Sequence, residues 1–398
     1  MWMIEKLKYR LDRWPKLRVD KLALYLLYRA VTKCLVAQDV IDVSGRLVRP
    51  RFEKGRFIKP PTTFTKLVSV GGFGWSGSSA VTELLSEYEG VTADYAGLPS
   101  NVNLQLSKKC FEFELCRGAG GLFSLEKAFE THNFMERDAA VRLFLELANY
   151  LYLNVRSFYG EEFIELTAGF LNQLIAGRAV NGGGFDYCHQ LEPLGHAAVH
   201  RFLGCPDEPN KEFMYYLKNL TIREYRELAH GYLQKLLRLI VTDDWLVLDQ
   251  ATSDATFDID KYRTYFGPIK NIFVWRDPRE VYAASQMYAG NQAFFPKDPN
   301  EFVVVYRDTI SRALAVKDPD FLTVHFDSLL YHYDQEIARI EAFLGLTPGQ
   351  HVRKQTRFVP EQSIARSIGH WQRYPDQACI AIIQSGLQEF CGVSPADK

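Results

Sequence analysis

Short apolar runs alternate along the chain with stretches whose apolar residues recur at helical spacing. The run Lys66–Gly72 predicts a buried strand, and the spacing after it predicts a helix from about Gly77 to Tyr88. Later apolar runs predict further buried strands at Trp245–Gln250, Asn271–Asp277 and Phe321–Asp327. Helical patterns follow the last two, so we expect parallel strands joined by right-handed crossovers. The sequence therefore predicts an α/β fold in which helices flank a parallel β-sheet.

The same patterns divide the chain into a basic N-terminal extension, 1–65, and one domain, 66–398. Prolines, a glycine and basic residues at 39–65 predict a connector before the first strand. Residues 100–240 are mostly helical in pattern, and we expect them to form a large insertion that acts as a lid or as a wall for an acceptor.

The extension carries a local positive charge, because residues 1–38 contain nine Lys or Arg and three acidic residues, which gives +6. It lacks the apolar core and cleavage site of a signal peptide, and the apolar stretch Leu22–Ala37 is too short to span a bilayer. Together with Trp2 and Trp14, the charge allows a peripheral contact with a membrane or glycolipid. Packing on the protein's own domain is the commoner use of such helices.

The amino-acid composition limits the classes of function that this chain can have. With 398 residues, 47% of them hydrophobic and 24% charged, the chain is that of a globular protein with a large core. Its formal net charge of -1 gives no general case for nucleic-acid binding, so an anion site needs a local cluster of basic residues. Seven Cys without paired spacing indicate reduced thiols and a cytoplasmic protein. No metal-binding motif is present, and we expect no metal.

The segment from Val68 to Gly90 has the layout of a phosphate-binding loop, with a strand, a bend of small residues and a helix. Glycines let the backbone approach a ligand, and the helix N-terminus supplies N–H groups and a partial positive charge. A nucleotide triphosphatase would carry Lys before the serines, where this chain has Trp75. On its own, a glycine-rich turn with nothing bound explains the segment equally well. The residues expected to contact the bound molecule are Gly74, Trp75, Ser76, Gly77, Ser78 and Ser79.

A second motif runs from Asn271 to Ser285. The predicted strand ends at Arg276, where open α/β sheets bind ligands, and a guanidinium offers a planar fork of donors to a phosphate. Asp277 is expected to cap the next helix, with Glu280 completing a capping box. A salt bridge at the strand end is the alternative.

A third motif, the late loop Arg366–Tyr374, combines cations, a flexible backbone and an aromatic ring. Arg366, Gly369 and Trp371 suit the surroundings of a nucleotide. A solvated basic loop is the alternative.

Together the three motifs resemble the sulfotransferases that use 3′-phosphoadenosine-5′-phosphosulfate (PAPS) and release 3′-phosphoadenosine-5′-phosphate (PAP). The resemblance covers about 65–90 and 245–375, including Val324–Leu346, and implies a P-loop-like fold. It implies that the Ser76–Ser79 bend binds the 5′-phosphosulfate, that Arg276 and Ser285 bind the 3′-phosphate, and that the late loop closes over the nucleotide. Because sulfuryl transfer breaks no β–γ phosphate bond, such a loop needs no Walker lysine.

Two departures from the family pattern affect these expectations. Trp75 stands where many members carry a cation, so Arg117, Lys66 or a late-loop residue is expected to replace that charge. The helix serine is displaced by one position, because Ala284 occupies the usual place and Ser285 the next.

The acceptor proton requires a base, usually Glu or His. The alternating segment Phe111–Cys116 predicts a strand with Glu112 and Glu114 on one face, at a place that resembles the catalytic Glu of glycan sulfotransferases. Two solvated carboxylates are the alternative. A histidine set at His189, His196 and His200 is expected to be structural or to line the acceptor site.

The predicted function is sulfuryl transfer from PAPS to a hydroxyl, of a carbohydrate or glycolipid, by in-line displacement. We expect a cytoplasmic enzyme, with membrane contact limited to the N-terminus. The alternatives are a non-catalytic nucleotide-binding protein of the same fold and, less favoured, a degenerate P-loop nucleotide kinase.

Overall fold

A computed structural model describes residues 66–93, 115–118, 120–159, 161–180, 202–203, 213–239, 244–249, 259–288 and 295–392. Its strands are β1 (Lys66–Gly72), β2 (Val91–Ala93), β3 (Ile175–Val180), β4 (Phe213–Leu217), β5 (Trp245–Asp249), β6 (Ile269–Trp275) and β7 (Phe321–His325). Its helices are α1 (Ser78–Leu85), α2 (Leu122–Lys127), α3 (Phe134–Tyr159), α4 (Glu162–Leu174), α5 (Ile222–Arg238), α6 (Ile259–Phe266), α7 (Pro278–Tyr288), α8 (Pro299–Ala315), α9 (Phe326–Tyr331), α10 (Tyr333–Leu344), α11 (Pro360–Ser367), α12 (His370–Arg373) and α13 (Gln377–Gly386).

The centre of the fold is a five-stranded sheet in the order β2-β5-β1-β6-β7, and its strand pairs are all parallel. The predicted α/β class is therefore confirmed, as are the four strands expected in this sheet. Helix α1 ends at Leu85, earlier than predicted, because Glu87 and Tyr88 continue as tight turns with i→i+3 hydrogen bonds.

The two faces of the sheet bury different residues, since successive side chains of a strand point to opposite sides. Leu67, Leu246 and Leu248 pack with the helical part of the chain that includes α3–α6. Val68 and Val70 face the other side, where α1, α9 and α10 cover them. Helices α7, α8 and α13 form a third apolar cluster beside β6. The sheet is thus the middle of three layers.

The segment 100–240 is largely helical in its described part, as predicted, but it also contains strands. β3 and β4 pair antiparallel in a separate two-stranded sheet that the sequence did not reveal. The strand predicted at Phe111–Cys116 is wrong where it can be seen, because Leu115 and Cys116 belong to a helical turn, with both side chains buried. Residues 111–114 lie outside the described residues. The division at residue 65 stays a prediction, since 1–65 also lie outside them.

No helix in the described part of the chain is long and apolar enough to cross a membrane.

Glu87 ties the 351–358 segment to the end of α1. Its side chain is fully buried, and it accepts hydrogen bonds from the backbone N–H groups of Arg357 (2.7 Å), Phe358 (2.8 Å) and Gln355 (3.1 Å). The Nε2 atom of His351 lies 2.7 Å from the same carboxylate. A buried carboxylate that is this well satisfied fixes the segment that leads into α11.

We expect Glu87→Gln to lower the free energy of unfolding by about 3 kcal/mol, because the amide NH2 would point at backbone donors and the charged hydrogen bonds would be lost. Urea denaturation measures the change. Glu89→Gln, at an exposed position two residues on, is the control and should stay near wild type. Equal stability of the two variants would contradict the anchoring role.

Candidate functional site

The first two motifs, which follow β1 and β6, meet at the carboxyl ends of the parallel strands. β1 and β6 are neighbours, with Gly72 in register with Val274, so the chain segments that follow them leave the sheet side by side. β5 lies on one side of β1 and β6 on the other, which makes the carboxyl end of β1 a switch point of the topology. Ligands of open α/β sheets bind at such points.

The glycine–serine loop, residues 73–79, begins with a tight turn. The N–H of Ser76 donates to the carbonyl of Phe73 at 3.0 Å, and φ is positive at Trp75 (62°) but not at Gly74. This is the pattern of a type II turn, whose third position ordinarily takes glycine. A tryptophan there costs roughly 1–2 kcal/mol of backbone strain.

Two glycines allow the loop to lie as close as it does. A Cβ on Gly72 would lie 2.1 Å from the carbonyl oxygen of Val274, and one on Gly77 would lie 2.4 Å from the ring of Phe326. Gly77 also has a φ of 91°, so it caps α1 in the left-handed conformation. Any side chain at either position would push the loop off β6 or off Phe326.

The serines of the loop differ in exposure. Ser76 is buried, and its hydroxyl has no hydrogen-bond partner within the described residues. Ser78 is buried at the first position of α1, whereas Ser79 is exposed, as is Gly74. α1 begins with no side-chain cap and no acidic residue in its first turn, so the positive end of its dipole is not neutralised locally. An unsatisfied buried hydroxyl beside a helix N-terminus is a feature of anion sites.

Arg276 lies just beyond β6 and is buried, with 4% of its surface exposed. Its Nη2 donates to the carbonyl of Ser367, its Nε has no hydrogen-bond partner in the described part of the chain, and its guanidinium lies 5.1 Å from the centre of the Phe326 ring. Phe326 therefore contacts both Arg276 and, through Gly77, the glycine–serine loop.

Two buried carboxylates flank this guanidinium. Arg276 Nη2 lies 3.7 Å from Glu280 Oε2, and its Nε lies 3.8 Å from Asp327 Oδ1. Burial raises the pKa of Asp327 to about 7 and also raises the pKa of Glu280, although Arg276 opposes both shifts. A protonated Asp327 would be a donor rather than an anion at this edge of the sheet.

Glu280 joins the late loop to α7. Its carboxylate accepts the N–H of Gly369 at 2.5 Å and that of His370 at 2.9 Å. The predicted role of Glu280 in a capping box is therefore wrong. The other half of the box is confirmed, because Asp277 caps α7 by accepting the N–H of Arg279 at 2.8 Å. The box fails because the helix N-terminus of α12 is a better partner for the buried carboxylate.

The aromatic and basic side chains of the late loop are placed differently from one another. Trp371 lies under the guanidinium of Arg279, 4.3 Å from it, while Arg366 is exposed. Gly369 has a φ of 85°, which its position before α12 requires. The late loop thus lies against the Arg276 segment through backbone contacts.

The hydroxyl of Ser285 makes its hydrogen bond within α7. Its side chain is fully buried, and its hydroxyl donates to the Tyr282 carbonyl at 2.8 Å within α7. We therefore leave Ser285 out of the phosphate site proposed below.

Lys66 was one of the cations expected to replace the missing loop charge, and this prediction is wrong. Lys66 is the first residue of β1, so it lies at the amino end of the strand, roughly 20 Å from the loop. Arg117 ends the helical turn at 115–117. The base candidates Glu112 and Glu114, and His189, His196 and His200, lie outside the described residues.

The sequence reasoning missed the two residues that follow β7, Phe326 and Asp327. The signal was present, because an aromatic ring and a carboxylate are the last two residues of the predicted strand Phe321–Asp327. A parallel strand beside β6 delivers its last residues to the edge where Arg276 lies.

Comparison with protein-family models finds no match, and comparison with curated proteins finds none either. Solved structures that are similar to this chain include two sulfotransferases. The sulfotransferase domain of the Synechococcus PCC 7002 olefin synthase has 13% identity and a TM-score of 0.30, covering 82% of this chain and 97% of that one. Sulfotransferase STF9 from Mycobacterium avium has 11% identity and a TM-score of 0.35, covering 96% and 88%. Likenesses this weak do not show the activity or the substrate of this chain.

In the described part of the chain, no group of three or more His, Cys, Asp or Glu side chains is placed to hold a metal ion.

The raised pKa of Asp327 makes the stability of the protein depend on pH. Between about pH 4 and about pH 7 the folded chain keeps a proton that the unfolded chain has lost, so the contribution of this group to stability falls as pH rises. We expect Asp327→Asn to gain at least about 1.4 kcal/mol relative to wild type across that window, the equivalent of one pK unit.

Urea denaturation across that pH range measures this gain. The control is Asp334→Asn, whose side chain is 85% exposed, and it should follow wild type. A constant difference between Asp327→Asn and wild type would show that Asp327 has an ordinary pKa.

Proposed function

We propose that this chain is a sulfotransferase that transfers the sulfuryl group of PAPS to a hydroxyl acceptor. One observation carries the proposal: the glycine–serine loop and Arg276 follow adjacent parallel strands at the same edge, and Phe326 contacts both. A doubly phosphorylated adenosine needs two anion sites in one cleft. The loop suits the 5′-phosphosulfate, and Arg276 suits the 3′-phosphate.

The loop end of the proposed site relies on dipoles rather than on a cation. Ser76 offers a buried hydroxyl that has no hydrogen-bond partner among the residues that the structure describes. The N-terminus of α1, which has no side-chain cap, offers its partial positive charge. Such groups stabilise charge that develops on a leaving phosphate oxygen. They are the local substitute we propose for the cation that Trp75 displaces.

The Arg276 end of the proposed site depends on proton balance. Arg276, Arg279, Asp277, Glu280 and Asp327 carry two positive and three negative charges when all are ionised, a net charge of -1. Protonation of Asp327 brings the group to zero and gives a donor in place of an anion. A phosphate at Arg276 would therefore favour the protonated form of Asp327.

In the proposed reaction the acceptor hydroxyl attacks sulfur in line with the bond to the 5′-phosphate. The acceptor O–S bond forms, the S–O bond to the phosphate breaks, and PAP leaves with the bonding electrons. The acceptor proton passes to a carboxylate, for which Glu112 and Glu114 remain the candidates. A carbohydrate or glycolipid remains the proposed acceptor, in the cytoplasm or at a membrane face reached through the basic extension.

A non-catalytic nucleotide-binding protein is the second candidate. Trp75 in place of a loop cation and the two carboxylates beside Arg276 favour it. It predicts that PAPS is bound but never consumed, whatever hydroxyl acceptor is offered. A degenerate nucleotide kinase would instead bind ATP with magnesium, and the missing loop lysine argues against it.

We expect calorimetry to show that PAP binds at least about tenfold more tightly than adenosine 5′-phosphate, because a fork of charged hydrogen bonds to a second phosphate adds more than 1.4 kcal/mol. Arg276→Lys keeps the charge between Glu280 and Asp327 but removes the planar fork, so this preference should fall.

The matched control is Arg263→Lys, at an ion pair with Asp318 that has no part in the proposed site. It should keep the wild-type preference. Equal affinity of the wild-type protein for the two nucleotides would remove the case for a 3′-phosphate pocket.

We expect at least one of Glu112→Gln and Glu114→Gln to abolish transfer of labelled sulfate from PAPS while PAP affinity is unchanged, because the amide cannot take up the acceptor proton. Turnover by both variants at the wild-type rate would place the base elsewhere.

A further inference from the structure

Trp75 occupies a position that packing does not explain. Its φ of 62° puts it at the turn position that ordinarily takes glycine, and 40% of its surface is exposed. The residues before Trp75 do pack against the protein. Phe73 stacks on Phe295 with 4.3 Å between the ring centres, and Gly74 leaves room for the Phe295 ring. Strain at an exposed non-glycine residue beside a ligand loop is typical of a functional position.

A second exposed ring faces Trp75. Tyr288, the last residue of α7, is 57% exposed, and its ring centre lies 6.2 Å from that of Trp75 with an angle of 29° between the planes. Tyr288 is supported in turn, since its hydroxyl lies 3.4 Å from Nδ1 of His370, and the His370 ring meets it edge-on at 5.2 Å.

The pair therefore links the glycine–serine loop to the late loop, which contributes His370. His370 belongs to α12, whose N-terminus Glu280 holds. Because the two rings stack on each other, they do not form one flat surface, but each keeps an exposed outer side. The outer side of the Trp75 ring is a flat apolar surface that suits the face of another ring. Because Ser76 directly follows Trp75, a ring on this surface lies next to the part of the loop proposed to hold the sulfuryl group.

We propose that Trp75 and Tyr288 form an acceptor platform that binds the apolar face of a hydroxyl-bearing ring. This inference rests on the proposed function. The shared chemistry of the acceptor is a flat apolar face with a hydroxyl at its edge, which either a phenol or the C–H face of a pyranose supplies. Trp75 is then a specificity-determining residue at the position where a cation would otherwise serve the leaving group.

The test uses Trp75→Gly, which removes the ring and gives the turn the residue it favours, so the fold is retained. With PAPS as donor, we expect KM for a phenol or a methyl pyranoside to rise about tenfold, as the loss of one stacking partner predicts. The rise in KM should exceed any change in the affinity for PAP, because the Trp75 ring is proposed to contact the acceptor. Trp75→Phe keeps a ring and should keep most of the acceptor affinity.

Gln355→Gly is the matched control. Gln355 is the other non-glycine residue with positive φ in the described part of the chain, at 57°, and it lies in the segment held by Glu87. The same backbone relief there should leave KM unchanged. A linear alcohol, which offers no ring, should show no difference between wild type and Trp75→Gly.

A binding measurement that needs no turnover distinguishes failure of the acceptor platform from failure of the proposed function. Saturation-transfer NMR on the wild-type protein with PAP bound should show contact with the ring protons of the phenol or of the pyranoside, and Trp75→Gly should abolish it. The class that shows the larger loss identifies the acceptor source. If PAP binds but neither ring shows contact, the platform is wrong while the proposed function stands.

Two other outcomes also decide the matter. If Trp75→Gly weakens PAP as much as the acceptor, the rings bind adenine and the acceptor platform is refuted. If wild type does not bind PAP, the proposed function fails, and the platform fails with it.

Discussion

The contact between the backbones of β1 and β6 is the constraint on which the candidate site depends. Gly72 lies so close to the Val274 carbonyl that no Cβ fits between them. Because the two strands are parallel and in register, this contact fixes where the segment after β1 and the segment after β6 leave the sheet relative to one another. The glycine–serine loop and Arg276 are therefore held at one edge by the sheet, and their separation does not depend on flexible side chains.

Buried charge organises the rest of that edge. Arg276 is enclosed by Glu280, Asp327 and the carbonyl of Ser367, which come from α7, the start of α9 and the late loop. Each partner is costly to bury alone, so the cluster is stable only when all these segments are present together. The same cluster limits how strongly the site can attract an anion, since two carboxylates compete for one guanidinium. Burial offsets this by raising the pKa of Asp327 and Glu280.

Four of the five strands that the described residues form in the main sheet could be predicted, because each is a short apolar run. The three-residue strand β2 was not predicted, because it is too short to give such a pattern. The loop and the strand-end arginine could be predicted because their chemistry is local to a few adjacent residues. The partners of Arg276 could not, since Asp327 is 51 positions away (327 minus 276) and Ser367 lies further still. Glu280 shows the limit of local rules: its spacing fits a capping box, but a distant helix N-terminus binds it instead.

Phe326 and Asp327 are the first two residues of α9, directly after β7, and their adjacency has a mechanical consequence. The ring that Gly77 abuts and the carboxyl that lies beside Arg276 are joined by a single peptide unit, which cannot stretch. Both side chains are carried by the first turn of α9, so a shift of that turn would move the ring beside Gly77 and the carboxyl beside Arg276 together.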